Sequence, residues 1–109
     1  MIGPGRAKAI FFTGRRVLAD EAHDLGVFNE VVPFDQLADR ARELTTTIAA
    51  GAPLALRFMK ENLNRAVVSD LKACLDMEAD RTVRCTRTED HLEGVNAFLS
   101  KRKPVFTGK

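Results

Sequence analysis

The sequence predicts a mainly helical chain with one short strand. Apolar residues return every three or four positions along much of its length, and glycine and proline fall between those stretches. Phe28 to Val32, short and closed by Pro33, is the only convincing strand.

Pro4 to about Phe12 reads as a short helix, started by Gly3 and Pro4 and stopped by Thr13 and Gly14. A second runs from Ala19 or Asp20 to Leu25 and closes on Gly26, the residue type that most easily turns left-handed. Phe28 to Val32 follows as the strand, closed by Pro33. Asp35 opens a longer helix in which Leu37, Ala41, Leu44 and Ile48 share one face, expected to be buried, and Gly51 ends it. Pro53 suits the first turn of the next helix, where its missing amide costs nothing. That helix extends to about Val68, with Leu56, Met59, Leu63 and Val67 as its apolar stripe and Arg57, Lys60, Glu61 and Asn64 facing elsewhere. Asp70 is a plausible cap for a further helix that carries Leu71, Cys74, Leu75 and Met77 inward and reaches about Cys85. The last begins near Asp90, where Asp90 and Glu93 have the spacing of a cap, and carries Val95, Phe98 and Leu99 before Pro104 stops it. A lone strand leaves backbone groups unsatisfied, so residues 28–32 either pair outside this chain or form an extended loop.

At 109 residues, 45% apolar and 29% charged, the chain has the composition of an ordinary globular domain with one modest core. Its 17 basic residues are interleaved with 15 acidic ones for a net charge of +2, too weak to imply nucleic acid. Lys101-Arg102-Lys103, with Lys109 beyond, is the one locally basic stretch. No apolar run approaches a membrane span and the start lacks the pattern of a signal peptide, which makes a cytoplasmic setting the expectation. Cys74 and Cys85 fall in one predicted helix, where eleven residues of rise set them about 16 Å apart, beyond the ~7 Å reach of a disulfide. His23 and His91 are remote and no Cys-x-x-Cys spacing occurs, so no metal site is expected.

Several segments taken together, Gly3-Pro-Gly-Arg-Ala-Lys8, Thr13-Gly-Arg15, Glu21-Ala22, Gly26-Val-Phe-Asn-Glu-Val-Val-Pro33, Pro53-Leu-Ala-Leu with a following Lys60, and Phe98-Leu-Ser-Lys-Arg-Lys-Pro104, resemble the enoyl-CoA hydratase/isomerase (crotonase) family. Order and spacing agree along essentially the whole chain, and the match covers the C-terminal portion of a family member. The resemblance implies the helical C-terminal part of the crotonase (ClpP/crotonase-like) fold. Residues 1–33 would be the end of its spiral of strand-strand-helix units, and 34–109 the helical trimerisation region. It also implies homo-oligomers, trimers or hexamers, acting on acyl-CoA thioesters in fatty-acid metabolism. Coenzyme A thioester is then the substrate of the complete enzyme, with no tightly bound cofactor.

In that family two backbone amides from glycine-rich loops stabilise the enolate of the thioester, and in the hydratases two glutamates handle water and proton. The resemblance places all of these before Met1. None of Glu21, Glu30, Glu43, Glu61, Glu78, Glu89 and Glu93 falls in a segment matching the catalytic positions, and they read as solvated helix-face or cap residues. The catalytic set in this chain is therefore expected to be empty, and the chain to be an inactive fragment of a hydratase-like lyase or isomerase.

Phe98 and Lys101 match positions where, in the family, the last helix of a neighbouring subunit meets the adenine end of coenzyme A. An aromatic face stacks on adenine and an ammonium neutralises the nucleotide phosphate, and a spacing of three puts both on one helix face. The plainer alternative has Phe98 in the core and Lys101 to Lys103 merely offsetting the helix dipole. Arg15 and Arg16 follow a glycine turn without a phosphate loop, and read as a structural or solvated pair. His23, His91, Ser69 and Ser100 have no partners at a catalytic spacing. Three function classes compete: an enzyme fragment, a non-catalytic helical oligomerisation or interaction module, and, ranked lowest, a nucleic-acid binder using the basic tail. Loss of the spiral would bare apolar faces, so self-association is expected.

Overall fold

A computed structural model describes residues 2–109. Six α-helices follow in order: α1 (Pro4–Thr13), α2 (Ala19–Asp24), α3 (Leu37–Ala49), α4 (Pro53–Ala66), α5 (Leu71–Thr86) and α6 (Glu89–Leu99), with a single 3₁₀ turn at Phe34–Gln36 before α3. Residues up to Ala41 form one compact unit and Arg42–Lys109 a second.

In the first unit, Pro4 sits in the first turn of α1, and Gly14 closes that helix at φ 58° with its amide on the Ile10 carbonyl, 3.1 Å away. Arg15 then binds Glu21 through both guanidinium nitrogens, at 2.9 and 2.5 Å, and ties the connecting loop to α2. The pairing raises the Arg15 pKa and lowers that of Glu21. The pair at Arg15–Arg16 is thus structural at Arg15, as its sequence context suggested. Leu25 and Gly26 end α2 with two nested bonds, Gly26 N–H to the His23 carbonyl and Val27 N–H to the Ala22 carbonyl, both 2.8 Å. Gly26 stands at φ 74°, which a side chain would resist.

The strand expected at 28–32 is not formed, and no strand occurs among the described residues. The β-branched side chains of Val31 and Val32 favour extended backbone, but a strand exists only by pairing, and no neighbouring backbone is there to receive it. The segment is instead a loop held by a side chain: Arg40 Nε donates to both carboxylate oxygens of Glu30 at 2.9 Å.

In the second unit α4 packs on α5 and α5 on α6. Phe58 is the one buried large side chain among the described residues, and it lies beneath two guanidinium groups, Arg57 at 5.1 Å and Arg81 at 5.4 Å from the ring centre. Arg81 reaches from α5 to α4, donating to the Phe58 carbonyl at 3.2 Å, to Asn62, and to Glu61 at 2.7 Å. Asp70 caps α5 as expected, its carboxylate accepting from Ala73 N–H at 2.8 Å. The cap of α6 differs from the expectation. Thr88 fills the role, accepting from His91 N–H at 3.1 Å, which leaves Asp90 and Glu93 for other work.

The apolar stripes are present but largely uncovered. Leu37, Leu44 and Ile48 on α3, Met59 and Leu63 on α4, Val67 just beyond it, Leu71 and Leu75 on α5, and Phe98 and Leu99 on α6 are all exposed, against the expectation that these faces are buried. Helical periodicity reports which residues would face a partner, and says nothing of whether that partner lies in the same chain. Cys74 and Cys85 are half-buried free thiols on α5. Among the described residues no acidic, histidine or cysteine cluster suits a metal, and no helix is long and apolar enough to cross a membrane.

Candidate functional site

The densest set of directed interactions lies where α6 meets the tail that follows it. Asp90 is in the first turn of the helix, where the exposed amide ends of the backbone favour a carboxylate. It is 4% exposed, and accepts from Thr107 N–H at 2.6 Å on one oxygen and from Gly108 N–H at 2.9 Å on the other. Its own amide donates to the Lys109 backbone oxygen at 3.1 Å. One turn later Glu93 accepts from both Arg102 terminal nitrogens, at 2.6 and 2.7 Å, and from Val105 N–H at 2.8 Å. The Arg102 guanidinium, with the Val105 amide second, holds the Glu93 carboxyl down to about 2, and the pairing raises the Arg102 pKa in return. The Phe106 ring lies against Gly94, 3.6 Å from where a β-carbon would stand, an ordinary packing distance. Residues 102–109 are therefore drawn back along α6 by two of its carboxylates, one helical turn apart.

The turn that starts this return is strained. Lys101 N–H donates to the Phe98 carbonyl at 3.2 Å and Arg102 N–H to the Ala97 carbonyl at 3.0 Å, the nested closure that requires a left-handed residue between them. That residue is Lys101, at φ 52°, the one non-glycine residue with positive φ among the described residues. A β-carbon in this region costs about 1–2 kcal/mol relative to glycine.

The two residues singled out from the sequence are thus found at one turn, in an arrangement different from the one expected. Phe98 lies in the last turn of α6 and is 83% exposed, so the core alternative does not hold in this chain. Lys101 is beyond the end of the helix, and the two do not share a helix face; they are joined by the reversal that links the Phe98 carbonyl to the Lys101 amide. Neither Lys101 nor Lys103 has an ion-pair partner among the described residues, while Arg102 is committed to Glu93. What is offered at this end is an exposed apolar ring and, across the turn, lysines without an ion-pair partner among the described residues, groups of the kind that suit a nucleotide, its base on a ring and its phosphate on an ammonium.

Sequence reasoning missed Asp90, Glu93 and Arg102. In the sequence Asp90 and Glu93 have the spacing of a helix cap and Arg102 belongs to a basic run, because the tail that they bind reads as irregular chain until its amides are placed. Glu21, Glu30, Glu61 and Glu93 are bound to arginines rather than merely solvated. An open groove lined by Pro4, Ala7, Phe11 and Val27 is apolar throughout and brings no titratable side chain to bear.

A family model described as enoyl-CoA hydratase/isomerase matches residues 1–109. The short-chain-enoyl-CoA hydratase of Clostridium acetobutylicum is 35% identical over 103 residues, covering 94% of this chain and 40% of that protein. The 1,2-epoxyphenylacetyl-CoA isomerase of Escherichia coli is 37% identical, over 98% of this chain and 41% of its own length. Among solved structures, the enoyl-CoA hydratase from Bacillus anthracis superposes with a TM-score of 0.94 at 40% identity, covering 99% of this chain and 42% of that one. The chain thus spans about two fifths of the length of the relatives it matches. With a family model matched from end to end, and likeness in residues and in backbone found over the same span, this chain belongs to the enoyl-CoA hydratase/isomerase family.

Proposed function

We propose that these residues are the C-terminal, adenine-side part of an enzyme that acts on acyl-CoA thioesters in fatty-acid metabolism. The observation that carries the proposal is the turn at Phe98–Lys101, which joins an exposed ring to a lysine with no ion-pair partner among the described residues, in a chain of this family. Phe98 stacks on the adenine and Lys101 meets the nucleotide phosphate of a coenzyme A bound by a neighbouring copy. Residues 1–33 belong to the end of the spiral, and 34–109 to the region through which copies assemble as trimers or hexamers in the cytoplasm. The exposed faces of α3 and α4 support such assembly, since each uncovered leucine or phenylalanine forgoes about 1.5–3 kcal/mol of burial. The chemistry itself, thioester polarisation and proton handling, is supplied by parts of the polypeptide outside these residues, and no residue of this chain is assigned a catalytic role.

Two measurements test this reading. The 109-residue chain is expected to leave crotonyl-CoA unchanged, and turnover by that chain alone would overturn the assignment. Saturable binding of coenzyme A is expected in the intact protein and to weaken in Phe98→Ala and Lys101→Ala; undiminished binding in both variants would remove the adenine role. A second reading, a helical oligomerisation module without chemistry, is favoured by the same uncovered faces. It predicts self-association with no coenzyme A binding.

A further inference from the structure

We infer that the Glu93–Arg102 pair is a positioning device for Lys101: it forces that lysine into the left-handed turn and so fixes where its ammonium stands at the end of α6. The inference rests on the proposed adenine role of Lys101. It adds residues that touch no ligand and act only through that lysine.

The argument is one of constraint. Arg102 is held in two independent ways, by its amide on the Ala97 carbonyl at 3.0 Å and by a two-pronged contact with Glu93 at 2.6 and 2.7 Å. Both anchors lie on α6 itself, so the residue after Lys101 is returned to the helix that the residue before Lys101 is leaving. Reversing a chain within one residue requires positive φ, and lysine adopts it only where its surroundings over-determine it. Glycine at this position would satisfy the same hydrogen bonds without strain, as it does at Gly26. The side chain at position 101 is thus retained against a conformational cost, and the Glu93–Arg102 contact is the part of the structure that meets it. Val105 N–H on the same Glu93 oxygen, and Asp90 on Thr107 and Gly108, extend the hold so that Arg102 cannot leave without the tail.

The test compares coenzyme A with pantetheine, the same thiol arm without the adenine nucleotide, by titration into the intact protein. Lys101→Ala is expected to weaken coenzyme A about tenfold, the scale of one charge-assisted contact, and to leave pantetheine unchanged. Glu93→Gln is expected to do the same, and Lys101→Ala/Glu93→Gln together to be no weaker than Lys101→Ala alone. Arg102→Lys, which keeps the charge and loses the fork, is the second variant should Glu93→Gln fail to fold. Equal loss of both ligands in Glu93→Gln would mark a general structural role and overturn the inference. Loss in Lys101→Ala without loss in Glu93→Gln would overturn it and leave the adenine role standing, whereas no loss in Lys101→Ala would remove the adenine role and the inference with it. A ligand-free check runs beside these. Lys101→Gly should raise the melting temperature, and raise it less in the Glu93→Gln background; an equal rise in both would show that the pair does not impose the turn.

Discussion

Helices α2 and α6 end in the same hydrogen-bonded reversal, with a different residue at its pivot. After α2 the pivot is Gly26, at φ 74°; after α6 it is Lys101, at φ 52°. In both, the amide of the pivot and the amide after it return to carbonyls of the last helical turn. At α2 the residue that follows is Val27, which has no charge with which to hold on, and the conformational freedom of glycine is sufficient by itself. At α6 the residue that follows is Arg102, gripped by Glu93, and the pivot carries a side chain. A helix can be terminated by permissive backbone or by external clamping, and the second route leaves the pivot free to carry a functional group.

Loosening the clamp at its far end should have the largest effect. Asp90→Ala abandons the Thr107 and Gly108 amides in a partly buried setting and should cost about 3 kcal/mol of unfolding free energy, with Asp90→Asn milder because one oxygen remains. Chemical denaturation of the intact protein reads both. Transplanting the pivot comes next: Gly26→Lys puts a side chain in the left-handed region with no clamp, and should destabilise by about 1–2 kcal/mol. Should it prove neutral, the contrast between the two turns would lose its energetic basis. The reverse exchange, Lys101→Gly, should stabilise by up to about 1 kcal/mol, since the strain goes while the hydrogen bonds remain.

The smallest effect is one of pH, and it separates the two turns by chemistry. Glu93 ionises near 2 in the folded chain, held down first by Arg102, against about 4.3 for an unpaired glutamate. A carboxylate shifted downward contributes stability that is fully present above its unfolded value and is lost as pH falls through its folded one. The difference in melting temperature between the wild type and Glu93→Gln should therefore be constant near neutrality and close as pH drops from about 4 towards 2, while the difference between the wild type and Gly26→Lys should not follow that course.

Most of the helices were legible because they carry their own punctuation. Pro4 and Pro53 start α1 and α4, Asp70 caps α5, and Gly14 and Gly26 close α1 and α2. Such signals act within a few residues, the range over which sequence determines conformation directly. Burial was not legible. Leu37, Leu44 and Ile48 have the spacing of a core face and stand exposed, because periodicity is a property of one helix and burial a property of two surfaces. The strand at 28–32 failed for the same reason, its β-branched residues lacking a neighbour. At the candidate site, Phe98 and Lys101 were located through resemblance, and their supports were not. The contacts from Asp90 to Gly108 and from Glu93 to Val105 join a helix to the backbone of an irregular tail, and backbone amides leave no mark in a sequence.

The returning tail also bears on how this protein can be handled. Gly108 lies against Pro53, and the Lys109 oxygen is on the Asp90 amide, so the polypeptide reaches Lys109 beside the beginning of α6. A fluorophore joined to Lys109 stands about 14 Å along the helix axis from Leu99, clear of the Phe98–Lys101 turn. A label intended to report on that turn belongs at Lys103, whose exposed ammonium is two residues from the pivot and outside the clamp.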